Sequence, residues 1–93
     1  MMLKIVKIRM VTTSGCERCE AVEQRILSMA AKLGVKAEIE KLGYFNPRAV
    51  ELGIEYGLEE IPSFVVGKKG KGISGNGFSD AELEVEIKRE ASL

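Results

Sequence analysis

The run Leu3-Lys4-Ile5-Val6-Lys7-Ile8-Arg9-Met10-Val11 carries Ile, Val and Met on both of its alternating faces. Successive side chains of a strand point to opposite sides of a sheet, so such a segment calls for cover on both. That reading makes Leu3 to Val11 a central strand rather than an edge. A chain of 93 residues has room for one core, so residues 1–93 are expected to form a single domain around it.

The rest of the chain supplies the partners of that strand. Thr12-Thr13-Ser14-Gly15 provides small turn-forming residues, and Val22, Ile26, Met29, Ala30 and Leu33 then recur at the spacing of one helical face. Gly34 closes this helix. Val35 to Lys41 alternates apolar with charged residues, which predicts a strand with one solvated face toward the sheet edge. Asn46-Pro47 reads as an N-cap followed by proline at the first helical position, with Val50, Ile54 and Leu58 as the apolar face and an end near Gly57.

Ser63-Phe64-Val65-Val66 and Gly72-Ile73-Ser74 flank a glycine- and lysine-rich turn and form a hairpin. In the final segment, alternation at Leu83, Val85 and Ile87 argues for a strand, whereas Ser79 with Glu82 makes a capping box. The helix is preferred, because Leu83, Ile87 and Ala91 share a helical face and its charges suit the dipole. The order is β-α-β-α-β-β-α, an α/β fold with a four-stranded mixed sheet flanked by three helices.

Charge and composition narrow the chemistry. Lysine plus arginine and aspartate plus glutamate each number 14, so no net field draws phosphate backbones or anionic lipid, and neither nucleic acid nor membrane is expected as a partner. Charges interrupt the N-terminal apolar residues, leaving no signal-peptide core, and a cytoplasmic location is the default expectation. There is no histidine, which removes imidazole acid-base chemistry, Ser-His-Asp triads and Cys/His zinc sites. In a reducing compartment the two cysteines are better read as catalytic, metal-binding or merely buried than as a structural staple.

Cys16-Glu17-Arg18-Cys19 falls where the first strand gives way to the first helix. A cysteine there faces unpaired backbone N–H groups and the positive end of the helix dipole, both of which stabilise the attacking thiolate. The spacing puts both sulfurs in one turn, with Cys16 as nucleophile and Cys19 as resolving thiol. Arg18 would favour the thiolate and Glu17 oppose it. Ile61-Pro62 heads the hairpin, and a cis bond there is favoured alongside the cysteine pair; it would turn the Ile61 backbone toward an extended ligand. Lys68, Lys69 and Lys71 read as solubilising charges on a sheet edge, and Tyr44 and Phe45 as a staple or loop anchor before the second helix.

With these features the chain resembles the thioredoxin/glutaredoxin superfamily over nearly its whole length. The resemblance rests on the Cys16 to Cys19 motif, Ile61-Pro62 at the cis-proline position, the strand Phe64-Val65-Val66-Gly67, and Gly75-Asn76-Gly77 before a capped helix. It looks most like small glutaredoxin-like thioredoxins, since the extra N-terminal strand and helix of full thioredoxins have no counterpart. The resemblance implies a thioredoxin-like fold and a dithiol oxidoreductase with Gly15, Ile61, Pro62 and Gly75 in substrate binding. It implies no cofactor beyond the redox-active disulfide, an external thiol or reductase as electron donor, protein or small-molecule disulfides as substrates, no metal and a monomer. Gly15 stands where thioredoxins have tryptophan, Met10 where they keep a buried acid, and the inner pair Glu17-Arg18 is neither Gly-Pro nor Pro-Tyr. Two other readings stay open: a redox-sensing or docking domain without turnover, and a metal held by thiolates pooled from two chains.

Overall fold

The computed structural model describes residues 4–93. The elements run β1 (Ile5–Thr12), α1 (Glu17–Lys32), β2 (Lys36–Gly43), α2 (Pro47–Tyr56), β3 (Ser63–Val66), β4 (Gly72–Ser74) and α3 (Asp80–Ala91). The sheet order is β2-β1-β3-β4, with β1 parallel to β2 and antiparallel to β3, and β3 antiparallel to β4. The order of elements, the mixed sheet and the thioredoxin-like fold are those expected from the sequence; Leu3, the expected first residue of the opening strand, lies outside the described residues.

The central position of β1 follows from its apolar content, but its two faces are covered unequally. Val6, Ile8 and Met10 are fully buried against α1 and α3, among Val22, Ile26, Met29, Phe64, Leu83 and Ile87. On the opposite face only Val11 is buried, packed with Leu42, Val65, Ala49 and Leu52, while Ile5 remains 53% exposed. The expectation of cover on both sides therefore holds at one end of the strand alone. The reason is length: α2 has ten residues, about 15 Å of helix, and spans only part of the sheet. Arg9 lies at the end of that cover, its guanidinium donating to Tyr56 Oη at 3.0 Å and lying 5.2 Å from the Tyr56 ring centroid.

The face of α2 corrects a second expectation. Ala49 and Leu52 are its buried residues, with Tyr56 packed beside them; Val50 and Ile54 look outward, Ile54 being 80% exposed. Phe45 is 81% exposed and stacks on Tyr44 with centroids 3.8 Å apart, so this pair does not anchor the loop in the core.

Local signals set the helix ends. Asn46 Oδ1 accepts from the Arg48 amide at 2.9 Å, and Ser79 Oγ from the Glu82 amide at 3.1 Å; each satisfies a first-turn N–H that has no helical partner. No helix among the described residues is long and apolar enough to cross a membrane.

Candidate active site

The register brings four loops to one end of the sheet. Val11 pairs with Ser63 and Ser63 with Ser74, while the Tyr44 amide donates to Thr12 O at 2.9 Å. The segments 13–16, 44–46, 60–62 and 75–77 thus leave the strands together. β1 delivers the chain to Gly15, whose φ of 71° lies in the left-handed region. Open space surrounds a Cβ built at this position, so the residue is required by the backbone conformation rather than by crowding.

That turn sets Cys16 as the N-cap of α1, in extended conformation. Its Sγ accepts the Cys19 amide hydrogen at 3.0 Å, which places sulfur where a serine or aspartate oxygen commonly closes a helix. Cys16 and Cys19 are joined as a disulfide, with Cα atoms 5.3 Å apart. The two sulfurs are not equivalent: Cys16 is half-buried, whereas Cys19 is 7% exposed and belongs to the buried face of α1. A cleft of about 520 Å³ opens over the pair, bounded by Thr13, Gly15, Glu17, Glu20 and Lys41 among others. Glu17 and Arg18 are both exposed beside it, and Lys41 is paired with Glu23 at 3.0 Å.

At the same end of the sheet, the Ile61-Pro62 peptide is cis. Pro62 is buried and Ile61 exposed, and among the described residues the Ile61 backbone takes no part in the turn hydrogen bonds that hold its neighbours. Gly75 donates its amide hydrogen to Pro62 O at 2.8 Å. A Cβ on Gly75 would stand 2.6 Å from Pro62 Cγ and 2.8 Å from Pro62 O, so this close approach needs glycine. Gly15, Cys16, Cys19, Ile61, Pro62 and Gly75 accordingly gather at one end of the sheet.

Sequence reasoning overlooked a cluster that ties Glu60, just before the cis bond, to Ser74 and Asn76 on either side of Gly75. Glu60 Oε2 accepts from Ser74 Oγ, and from Asn76 Nδ2 at 2.9 Å; Ser74 Oγ in turn accepts from the Asn76 amide at 3.1 Å. The hydrogen bond from Ser74, and then that from Asn76, hold the Glu60 carboxyl below the usual carboxylate range, the small effect of burial opposing them. The available signal was the position of Glu60 directly before Ile61-Pro62, with Ser74 and Asn76 on either side of Gly75. Lys68, Lys69 and Lys71 of the hairpin are exposed.

Comparison with known proteins agrees with this architecture. No curated protein matches the chain. Among solved structures, a point-mutant thioredoxin from Halobacterium salinarum NRC-1 superposes with a TM-score of 0.62 at 19% identity, covering 97% of this chain and 78% of that one. Thioredoxin 1 from Thermosipho africanus TCF52B gives 0.55 at 20% identity, covering 89% and 91%. A malarial protein gives 0.57 at 13% identity, covering 94% and 98%. Such identities speak for the fold, and family membership rests on a thioredoxin-domain model that matches residues 6–87. The chain belongs to the thioredoxin domain family, within the thioredoxin/glutaredoxin superfamily.

Proposed function

We propose that this protein is a dithiol-disulfide oxidoreductase working through Cys16 and Cys19. The observation that carries the reading is the asymmetric disulfide at the start of α1: an accessible Cys16 at the N-cap, bonded to a Cys19 tucked beneath it. In the reduced protein the Cys16 thiolate attacks one sulfur of a substrate disulfide, forming a mixed disulfide and expelling the first thiolate. Cys19, having given up its proton to solvent, attacks Cys16. The Cys16–Cys19 bond forms as the mixed disulfide breaks, and the second substrate sulfur leaves. Two electrons pass from the pair to the substrate, whose thiolates take up two protons.

The backbone N–H groups and dipole at the α1 N-terminus stabilise the Cys16 thiolate as attacker and leaving group. Glu17 and Arg18 tune it with opposing charges. Gly15, Ile61, Pro62 and Gly75 form the surface that receives the substrate, with the exposed Ile61 backbone pairing to an extended segment. No cofactor beyond the disulfide enters this reading; a reductase or a low-molecular-weight thiol returns the pair to its dithiol form, in a reducing compartment such as the cytosol.

The test is turnover of a neutral disulfide, hydroxyethyl disulfide, and of a disulfide-bonded protein, with dithiothreitol as reductant. Cys16→Ser is expected to abolish turnover, and reduced Cys19→Ser, mixed with the disulfide after dithiothreitol is removed, to accumulate a mixed disulfide visible as added mass. Full activity in both variants would refute the assignment.

A further inference from the structure

The carboxylate of Glu60 is an exposed side chain held by two partners on another strand end. Ordinary surface glutamates sample many rotamers, which dilutes their influence on a passing charge. Here Ser74 and Asn76 fix the group between the Ile61-Pro62 segment and the Gly75 turn, and both donors reach the same oxygen, Oε2. Oε1 takes neither of them and is left for a visitor.

The neighbouring charges reinforce its sign. Glu17, Glu20 and Glu59 are exposed at this end of the sheet or in the first turn of α1, against Arg18 and Lys41, and Lys41 is already paired with Glu23. The cleft over the disulfide is itself lined by Glu17, Glu20 and Glu23 against Lys41, so this end of the sheet is acidic although the whole chain is neutral, and charges closer together than the Debye length, about 8–10 Å at ordinary salt, still act on one another.

We propose that Glu60 is a specificity-determining residue for disulfide exchange at this site, favouring partners with positive charge beside the reacting sulfur over anionic thiols of the glutathione type. The inference rests on the oxidoreductase reading and names the substrate class of the same site.

Three disulfides of different charge test it: cystamine, dicationic; hydroxyethyl disulfide, neutral; and oxidised glutathione, anionic. For each, kcat and KM are measured at low salt and at high salt, and the two charged substrates are expressed relative to the neutral one. The wild type is expected to favour cystamine and to lose much of that preference in high salt. Glu60→Gln keeps an acceptor oxygen for Ser74 and Asn76 but removes the charge. It is expected to lower the cystamine ratio roughly two- to fivefold, mainly through KM, and to raise the glutathione ratio. Glu55→Gln, on the exposed side of α2, is the control and should leave both ratios unchanged. Ser74→Ala/Asn76→Ala keeps the charge but frees the side chain, and should weaken the preference part of the way.

Unchanged ratios in Glu60→Gln, or an equal fall for all three disulfides, would overturn the specificity role while leaving the oxidoreductase reading intact. If the wild type reduces none of the three, including the neutral one, the oxidoreductase reading fails and this inference fails with it.

Discussion

Gly75 lies directly against Pro62, with its amide hydrogen-bonded to the proline carbonyl at 2.8 Å and space for no side chain between them. Gly75→Ala forces its new methyl within 2.6 Å of Pro62 Cγ, so the two loops must part. Overpacking of this kind costs about 1–3 kcal/mol, and the displaced loop should also raise KM for protein disulfides. Thermal unfolding and turnover measured on the same preparation check both; a variant with wild-type melting and kinetics would show that the contact is dispensable.

Glu60 should titrate below the usual carboxylate range, and Ser74→Ala, which removes the larger of its two hydrogen bonds, should bring it back toward that range. A carboxyl whose folded pKa is depressed stabilises the native state above its unfolded pKa, and that stabilisation disappears as pH falls through the folded value. Acid therefore narrows the stability difference between wild type and Glu60→Gln. NMR titration of the side-chain carboxyls and denaturant melts across the acid range read the two effects separately.

Substitutions on opposite sides of the chain's apolar surface should differ sharply. Phe64 is fully buried and meets the Phe78 ring edge-on, 5.2 Å between centroids; Phe64→Ala is expected to cost about 3–5 kcal/mol. Ile54, equally apolar, is exposed, and Ile54→Ser should stay within about 0.5 kcal/mol of wild type. Urea denaturation with a common m-value separates these outcomes.

The two side-chain caps offer a smaller, local test. Asn46→Ala and Ser79→Ala each remove the acceptor of a first-turn amide and should each cost about 1 kcal/mol. The caps serve helices that pack into separate clusters and share no partner, so the double variant should show the sum of the two losses, as measured by the denaturation midpoint.

Much of this was legible in the sequence because the signals were local. Asn46-Pro47 and Ser79 with Glu82 mark helix starts through hydrogen bonds spanning two or three residues, and the hairpin strands match their expected bounds. The face of α2 was not legible, because two stripes compete there at the same helical spacing. Val50 and Ile54 are bulky, yet the turn that precedes the helix, with the Asn46 amide bonded to Gly43 O at 2.8 Å, delivers the helix in the phase that buries Ala49 and Leu52, and only Leu58, past the helix end, packs with them as expected. Partial exposure of the second face of β1 was hidden for a related reason, since it depends on how far a neighbouring helix reaches. The Glu60 cluster joins residues that meet only when Ser63 pairs with Ser74, a relationship that no short window of sequence contains.

One consequence of the Cys16 cap concerns observation rather than chemistry. Cys16 Sγ is both a partner in the disulfide and the acceptor that caps α1, so the hydrogen bonding of the first turn is tied to the oxidation level of the pair. An anionic sulfur accepts a stronger hydrogen bond than a neutral one, so reduction with ionisation at position 16 should tighten the Cys19 amide and slow its exchange with deuterium. That one backbone proton thus serves as a built-in gauge, reporting the redox state of the protein without any reagent touching the sulfurs.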